Sequence, residues 1–149
     1  MKLRDAAGHG VDLWVSGYQF PDADDPRERF SWHIVAGKAS TSEGEWDFQF
    51  AALECDETPR VSAWLRQVHS GERSGRLQFT EPNLQFAAAE TLGDGVELCI
   101  SLDLEFLPPW SRHTAAGDPF VLNIAVNRGD ILTAADAWDK AASRFAGGA

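Results

Sequence analysis

Across residues 96–106 the chain reads Val-Glu-Leu-Cys-Ile-Ser-Leu-Asp-Leu-Glu-Phe, with a strongly apolar residue at every second position and no break. Only an extended strand with one buried and one wet face uses a period of two. The same pattern recurs over residues 30–36, 46–52 and 120–126, and shorter candidates lie at 11–17, 76–79 and 84–90. One-sided strands belong to antiparallel sheets, because all-parallel sheets are covered on both faces. Turn-forming sequences fall between them: Thr41-Ser42-Glu43-Gly44, Glu81-Pro82-Asn83 and Gly93-Asp94-Gly95.

Two segments change to the helical period. Val61, Trp64, Leu65 and Val68 fall at i, i+3, i+4 and i+7, with Thr58 as the expected N-cap, Pro59 at the first helical position and Gly71 just past the end. Ile131, Ala135, Trp138, Ala142 and Phe145 share a second face, preceded by Asn127 and Asp130 as alternative caps. Each helix has one apolar stripe and must pack on the sheet. The expected fold is therefore α+β: a single curved antiparallel sheet of about seven strands, in the order β-β-β-α-β-β-β-β-α, against two amphipathic helices. We expect one domain over residues 1–149, with a core from 11 to 146 and flexible ends at 1–8 and 147–149.

At 149 residues, one ordinary core suffices without disulfide or metal staples. Cys55 and Cys99 lack the paired spacing of a zinc or redox motif and are expected to stay reduced. No apolar run approaches a bilayer span, and the N-terminus offers no signal-peptide core, so the expectation is a cytoplasmic protein without a membrane partner. The formal net charge of −10 argues against nucleic acid, which is bound by clustered Lys and Arg, and would steer a basic protein toward this surface.

The residues that could carry chemistry do not form a recognisable catalytic set. His9, His33, His69 and His113 are scattered, with no metal-ligand spacing; His33 alternates with Trp32 and Ile34 and is expected on the wet face of its strand. Asp22, Asp24 and Asp25 resemble the opening of a calcium loop, but Arg27 and His33 stand where that loop needs Gly and Glu, so these read as solvated turn residues. Glu97, Asp103 and Glu105 share one expected strand face with Cys99 and Ser101; acid–base work there would need a concave pocket. No cofactor, metal or enzymatic activity is expected. Trp32, Trp46, Trp64 and Trp138 fall on apolar faces. Trp14 is out of phase with its strand and Trp110 follows two prolines, so either could be an exposed anchor or part of a second core layer.

Three stretches together carry a resemblance: Gly17-Tyr18-Gln19-Phe20-Pro21-Asp22, Phe79-Thr80-Glu81-Pro82-Asn83-Leu84-Gln85-Phe86, and Leu107-Pro108-Pro109-Trp110. With a trailing amphipathic helix in the same order, the chain resembles the WapI-type immunity protein family of bacteria over about residues 11 to 146. The resemblance implies a cytoplasmic antitoxin that neutralises the toxin domain of a large secreted growth inhibitor, with a nuclease such as a tRNase as the target in the name-giving case. It carries over no catalytic residue. An inhibitor of an RNA-cutting enzyme gains from an acidic surface and a few aromatic anchors, which selects Asp22, Asp24, Asp25, Glu97, Asp103, Glu105 and Trp110 as partner-binding residues. The expected partner is a basic toxin domain, and the expected state is a monomer or weak homodimer. Two other readings stand beside it: a small-molecule carrier with an apolar pocket between sheet and helices, and an enzyme using surface carboxylates.

Overall fold

A computed structural model describes residues 1–72, 75–90, 93–111 and 117–146 of the chain. Seven strands form in an α+β arrangement: β1 (Lys2–Arg4), β2 (Gly10–Tyr18), β3 (Trp32–Thr41), β4 (Gly44–Glu54), β5 (Leu84–Glu90), β6 (Gly95–Leu102) and β7 (Phe120–Asn127). Three α-helices join them: α1 (Pro26–Arg29), α2 (Thr58–Ser70) and α3 (Arg128–Ala142). All strand pairings are antiparallel, as the alternation requires.

The seven strands do not lie in one sheet. They divide into a four-stranded sheet, β1-β2-β3-β4, and a three-stranded sheet, β5-β6-β7. Coverage explains the division. Seven strands at about 4.8 Å spacing make a face roughly 30 Å wide, whereas two helices side by side cover about 20 Å. Turning two sheets toward each other lets their apolar rows bury one another. Val11, Leu13 and Val15 of β2, Val35 and Ala39 of β3, and Trp46 and Phe48 of β4 join Leu84, Phe86, Leu98, Ile100, Leu122 and Ile124 in a single core. Val61, Leu65 and Val68 of α2 and Ile131, Ala135 and Trp138 of α3 complete it, and the two helices pack on each other.

Several expectations change at element ends. The segment 76–79 is no strand; it contributes one bridge, Leu77 to Phe86. The N-terminal residues expected to be flexible include β1, whose Leu3 is buried in the core. The alternation of residues 96–106 stops being a strand at Leu102. Asp103 leads into a 3₁₀ turn over Leu104–Phe106, with Leu104 in the left-handed region at φ 52°. The physical reason is Phe106: the turn drops its ring onto Phe48 at 4.4 Å, and its carbonyl accepts from the Trp46 indole at 3.0 Å. One tight turn thus ties the end of β6 to the opposite sheet. Residues 147–149 and His113 lie outside the described residues.

Helix ends follow the sequence more closely. Asn127, rather than Asp130, caps α3 and accepts from Asp130 N at 2.8 Å. Gly71 closes α2 at φ 75°, a conformation that strains residues with a Cβ. Thr58 is not the N-cap of α2: that position is Glu57, and the Thr58 hydroxyl points elsewhere, with functional consequences.

Candidate functional site

A concavity of about 460 Å³ opens where the end of β2 and the start of β3 meet the start of α2 and the end of α3. Its volume falls in the range of ordinary ligand clefts. Tyr18 comes from the end of β2 and Phe30 from the residue that closes α1. Cys55 and Asp56 lie in the connection between β4 and α2, and Phe145 in a 3₁₀ turn that extends α3. Tyr18, the only tyrosine of the chain, is the hub: its ring lies 5.2 Å from Phe30 at 71° and 6.0 Å from Phe145 at 89°. Edge-to-face contacts of this kind are a preferred arrangement of aromatic rings.

His33 forms the floor. It was expected on the wet face of β3, yet it is only 4% exposed. Val35, opposite Phe50, and Ala39, opposite Trp46, are buried in the core and set the phase of β3, and a period of two then turns His33 inward. A buried imidazole needs partners for both nitrogens. Nδ1 lies 2.7 Å from the Thr58 hydroxyl and Nε2 lies 3.1 Å from the Phe145 carbonyl oxygen. A carbonyl only accepts, so Nε2 carries the proton and Nδ1 accepts from Thr58. The Tyr18 hydroxyl donates to the same Phe145 carbonyl. The Trp138 indole donates to Thr58 O at 2.9 Å, which fixes the first turn of α2 to α3.

Charge at the cleft follows from burial. Desolvation holds the pKa of His33 below its ordinary value, despite the hydrogen bond to Phe145, and so keeps the ring neutral. Burial, with the Asp56 carboxylate second, pushes the Cys55 thiol up to about 11. A thiol that stays protonated is a weak nucleophile, and both imidazole nitrogens are engaged. The arrangement suits binding rather than bond making.

The residues selected from sequence reach this region only in part. Asp22, Asp24 and Asp25 are exposed on the loop between β2 and α1; Asp25 also caps α1, accepting from Arg27 N at 2.9 Å. That loop is tied beside the cleft because Arg29 donates from Nε to Ala23 O at 2.8 Å while its guanidinium sits over the Phe30 ring. Glu97 is exposed on the outer face of β6. Asp103 has left that face: it is 6% exposed and accepts from Leu104 N at 2.8 Å, which corrects the expectation of a three-carboxylate strand face. Glu105, on the 3₁₀ turn, is exposed and accepts a long contact from Asn83 Nδ2 at 3.4 Å. Trp110 is 45% exposed, lies edge-on to Trp46, and donates to Glu43 at 3.2 Å. Trp14 is 41% exposed on the outer face of the four-stranded sheet.

Sequence reasoning missed the cleft because its walls come from five separate segments, none with a chemical motif. The one available signal was Tyr18, which stands inside the first of the three familiar stretches. Among the described residues, no group of three or more His, Cys, Asp or Glu is placed to hold a metal ion, and no helix is long and apolar enough to cross a membrane. A family model described as the immunity protein WapI-like family matches residues 2–146. No curated protein and no solved structure matches.

Proposed function

The chain belongs to the immunity protein WapI-like family, and from that membership we propose that it binds and neutralises a protein toxin domain inside the cytoplasm of the cell that makes it. The match over residues 2–146 is the observation that carries this reading. Surface chemistry agrees with it: a net charge of −10 favours encounter with a basic partner, raising on-rate and selectivity more than affinity itself. A nuclease toxin fits that charge, since an enzyme that grips phosphates presents Lys and Arg that carboxylates can occupy. The protein then works by occupying its partner's surface, as a monomer or weak homodimer, and transforms no substrate.

Co-expression with candidate toxin domains taken from reading frames that neighbour this gene tests the proposal. Restored growth together with a co-purifying complex is the expected outcome; continued toxicity with no complex would refute it. The cleft favours a second reading, carriage of a small organic molecule. Native mass spectrometry of the purified chain decides there, because a carrier would retain a stoichiometric small ligand.

A further inference from the structure

We propose that the cleft between Tyr18, Phe30 and Phe145 receives an arginine side chain projecting from the partner protein, with Asp56 at the rim as its counter-ion. The identity of the partner as a toxin domain rests on the reading above; the chemistry of the occupant rests on the cleft itself.

The rings of Phe30 and Phe145 each stand steeply to that of Tyr18, and all three line the cleft. A cation within about 6 Å of a ring face is attracted by the ring quadrupole, and more strongly when water is excluded. The protein already uses this chemistry once at the site: the Arg29 guanidinium lies 5.9 Å from the Phe30 centroid. Guanidinium is weakly hydrated and stacks on rings, so arginine suits an apolar cleft better than lysine does.

The carboxylate at the rim supplies the second requirement. Asp56 is exposed, lines the cleft, and has no ion pair among the described residues. The tied loop and α1, whose closing residue Phe30 lines the cleft, carry the exposed Asp22, Asp24, Asp25 and Glu28 against Arg27 and Arg29. Nothing on the floor opposes a cation, because His33 is held neutral between Thr58 and Phe145 and Cys55 stays a thiol. The positive end of α2 and the negative end of α3 both abut the cleft, so their dipoles oppose one another. Arg60 and Arg144, which adjoin lining residues in the chain, lie outside the lining, and Arg60 pairs with Glu57. A neutral apolar occupant would match the rings but leave Asp56 without a role.

Titration of the ¹⁵N-labelled full chain with acetyl-Gly-Arg-Gly-amide, followed by amide chemical shifts, tests the occupant directly. The isosteric citrulline peptide is the control, since it keeps the shape and removes the charge. Saturable shifts at Tyr18, Phe30, Asp56 and Phe145, with the arginine peptide binding at least about 5-fold more tightly, are expected from a cation–π contact plus a rim carboxylate. Asp56→Asn and Phe30→Leu should each remove several-fold of that preference while leaving the melting transition in place for the exposed Asp56. Equal binding of the citrulline peptide, shifts elsewhere on the surface, or no saturation up to the solubility limit would each overturn the proposal. With the toxin domain in hand the two readings separate. Protection by the wild-type chain with unchanged toxin affinity in both variants refutes the cleft and spares the immunity role. Arginine-selective peptide binding with no protection does the reverse.

Discussion

At the start of α1, Asp25 accepts from Arg27 N at 2.9 Å while remaining in solvent, and Asp22 and Asp24 beside it keep their carboxylates in water. After β6, Asp103 accepts from Leu104 N at 2.8 Å but is folded beneath the turn that carries Phe106 into the core. Both stretches looked like solvated acidic surface in sequence. They differ in what the backbone needs. Where a tight turn leaves a buried N–H without a helical partner, a carboxylate is taken up by the fold; where a loop is open, the carboxylate stays available to a partner. The aromatic cleft stands beside the open loop, and the consumed carboxylate stands at the join between the sheets.

Breaking the support of the cleft end is expected to have the largest effect. Trp138 is fully buried and holds Thr58, which in turn holds His33. Trp138→Ala should lose about 3–5 kcal/mol, read by urea unfolding, and should abolish the shifts of the cleft residues with any bound peptide. At the other end, Asp103→Ala removes a buried side-chain acceptor and should lose about 1–2 kcal/mol by the same measurement. Its toxin affinity should be unchanged; a loss of affinity matching that of Asp56→Asn would erase the distinction between the two regions.

A slope follows these two steps. Burial lowers the folded-state pKa of His33 below the ordinary 6.5. The unfolded chain therefore takes up this proton first as pH falls, and stability should decline from about the unfolded pKa downward until the folded-state value is passed. Unfolding midpoints measured between pH 7.5 and 5 should show the decline, and His33→Gln should flatten it. If the variant keeps the slope, another group is responsible and the neutral floor of the cleft is in doubt. The smallest stability change belongs to the open loop: Asp22→Asn with Asp24→Asn should stay within about 0.5 kcal/mol. Its signature lies in kinetics, as a slower and less salt-dependent association with the toxin domain measured by stopped flow.

Much of the scaffold was legible because it depends on local periodicity. The rows Val96, Leu98, Ile100 and Leu102 in β6, and Leu122, Ile124 and Val126 in β7, are buried as the alternation requires. The stripes Val61-Trp64-Leu65-Val68 and Ile131-Ala135-Trp138 face the core, and the caps at Gly71 and Asn127 form where turn chemistry puts them. Trp14 was marked by its phase and is exposed. Such features require only that a side chain know its neighbours along the chain.

What the amino-acid order determined alone was the class of fold, the antiparallel pairing and the apolar face of each element, because periods of 2 and 3.6 are written into consecutive residues. Tertiary structure decided the rest: two sheets in place of one, the burial of Asp103, the inward turn of His33 and the meeting of Tyr18, Phe30, Asp56 and Phe145. These follow from which surfaces must cover one another, and coverage is settled only when residues more than a hundred positions apart, such as His33 and Phe145, come within hydrogen-bonding distance.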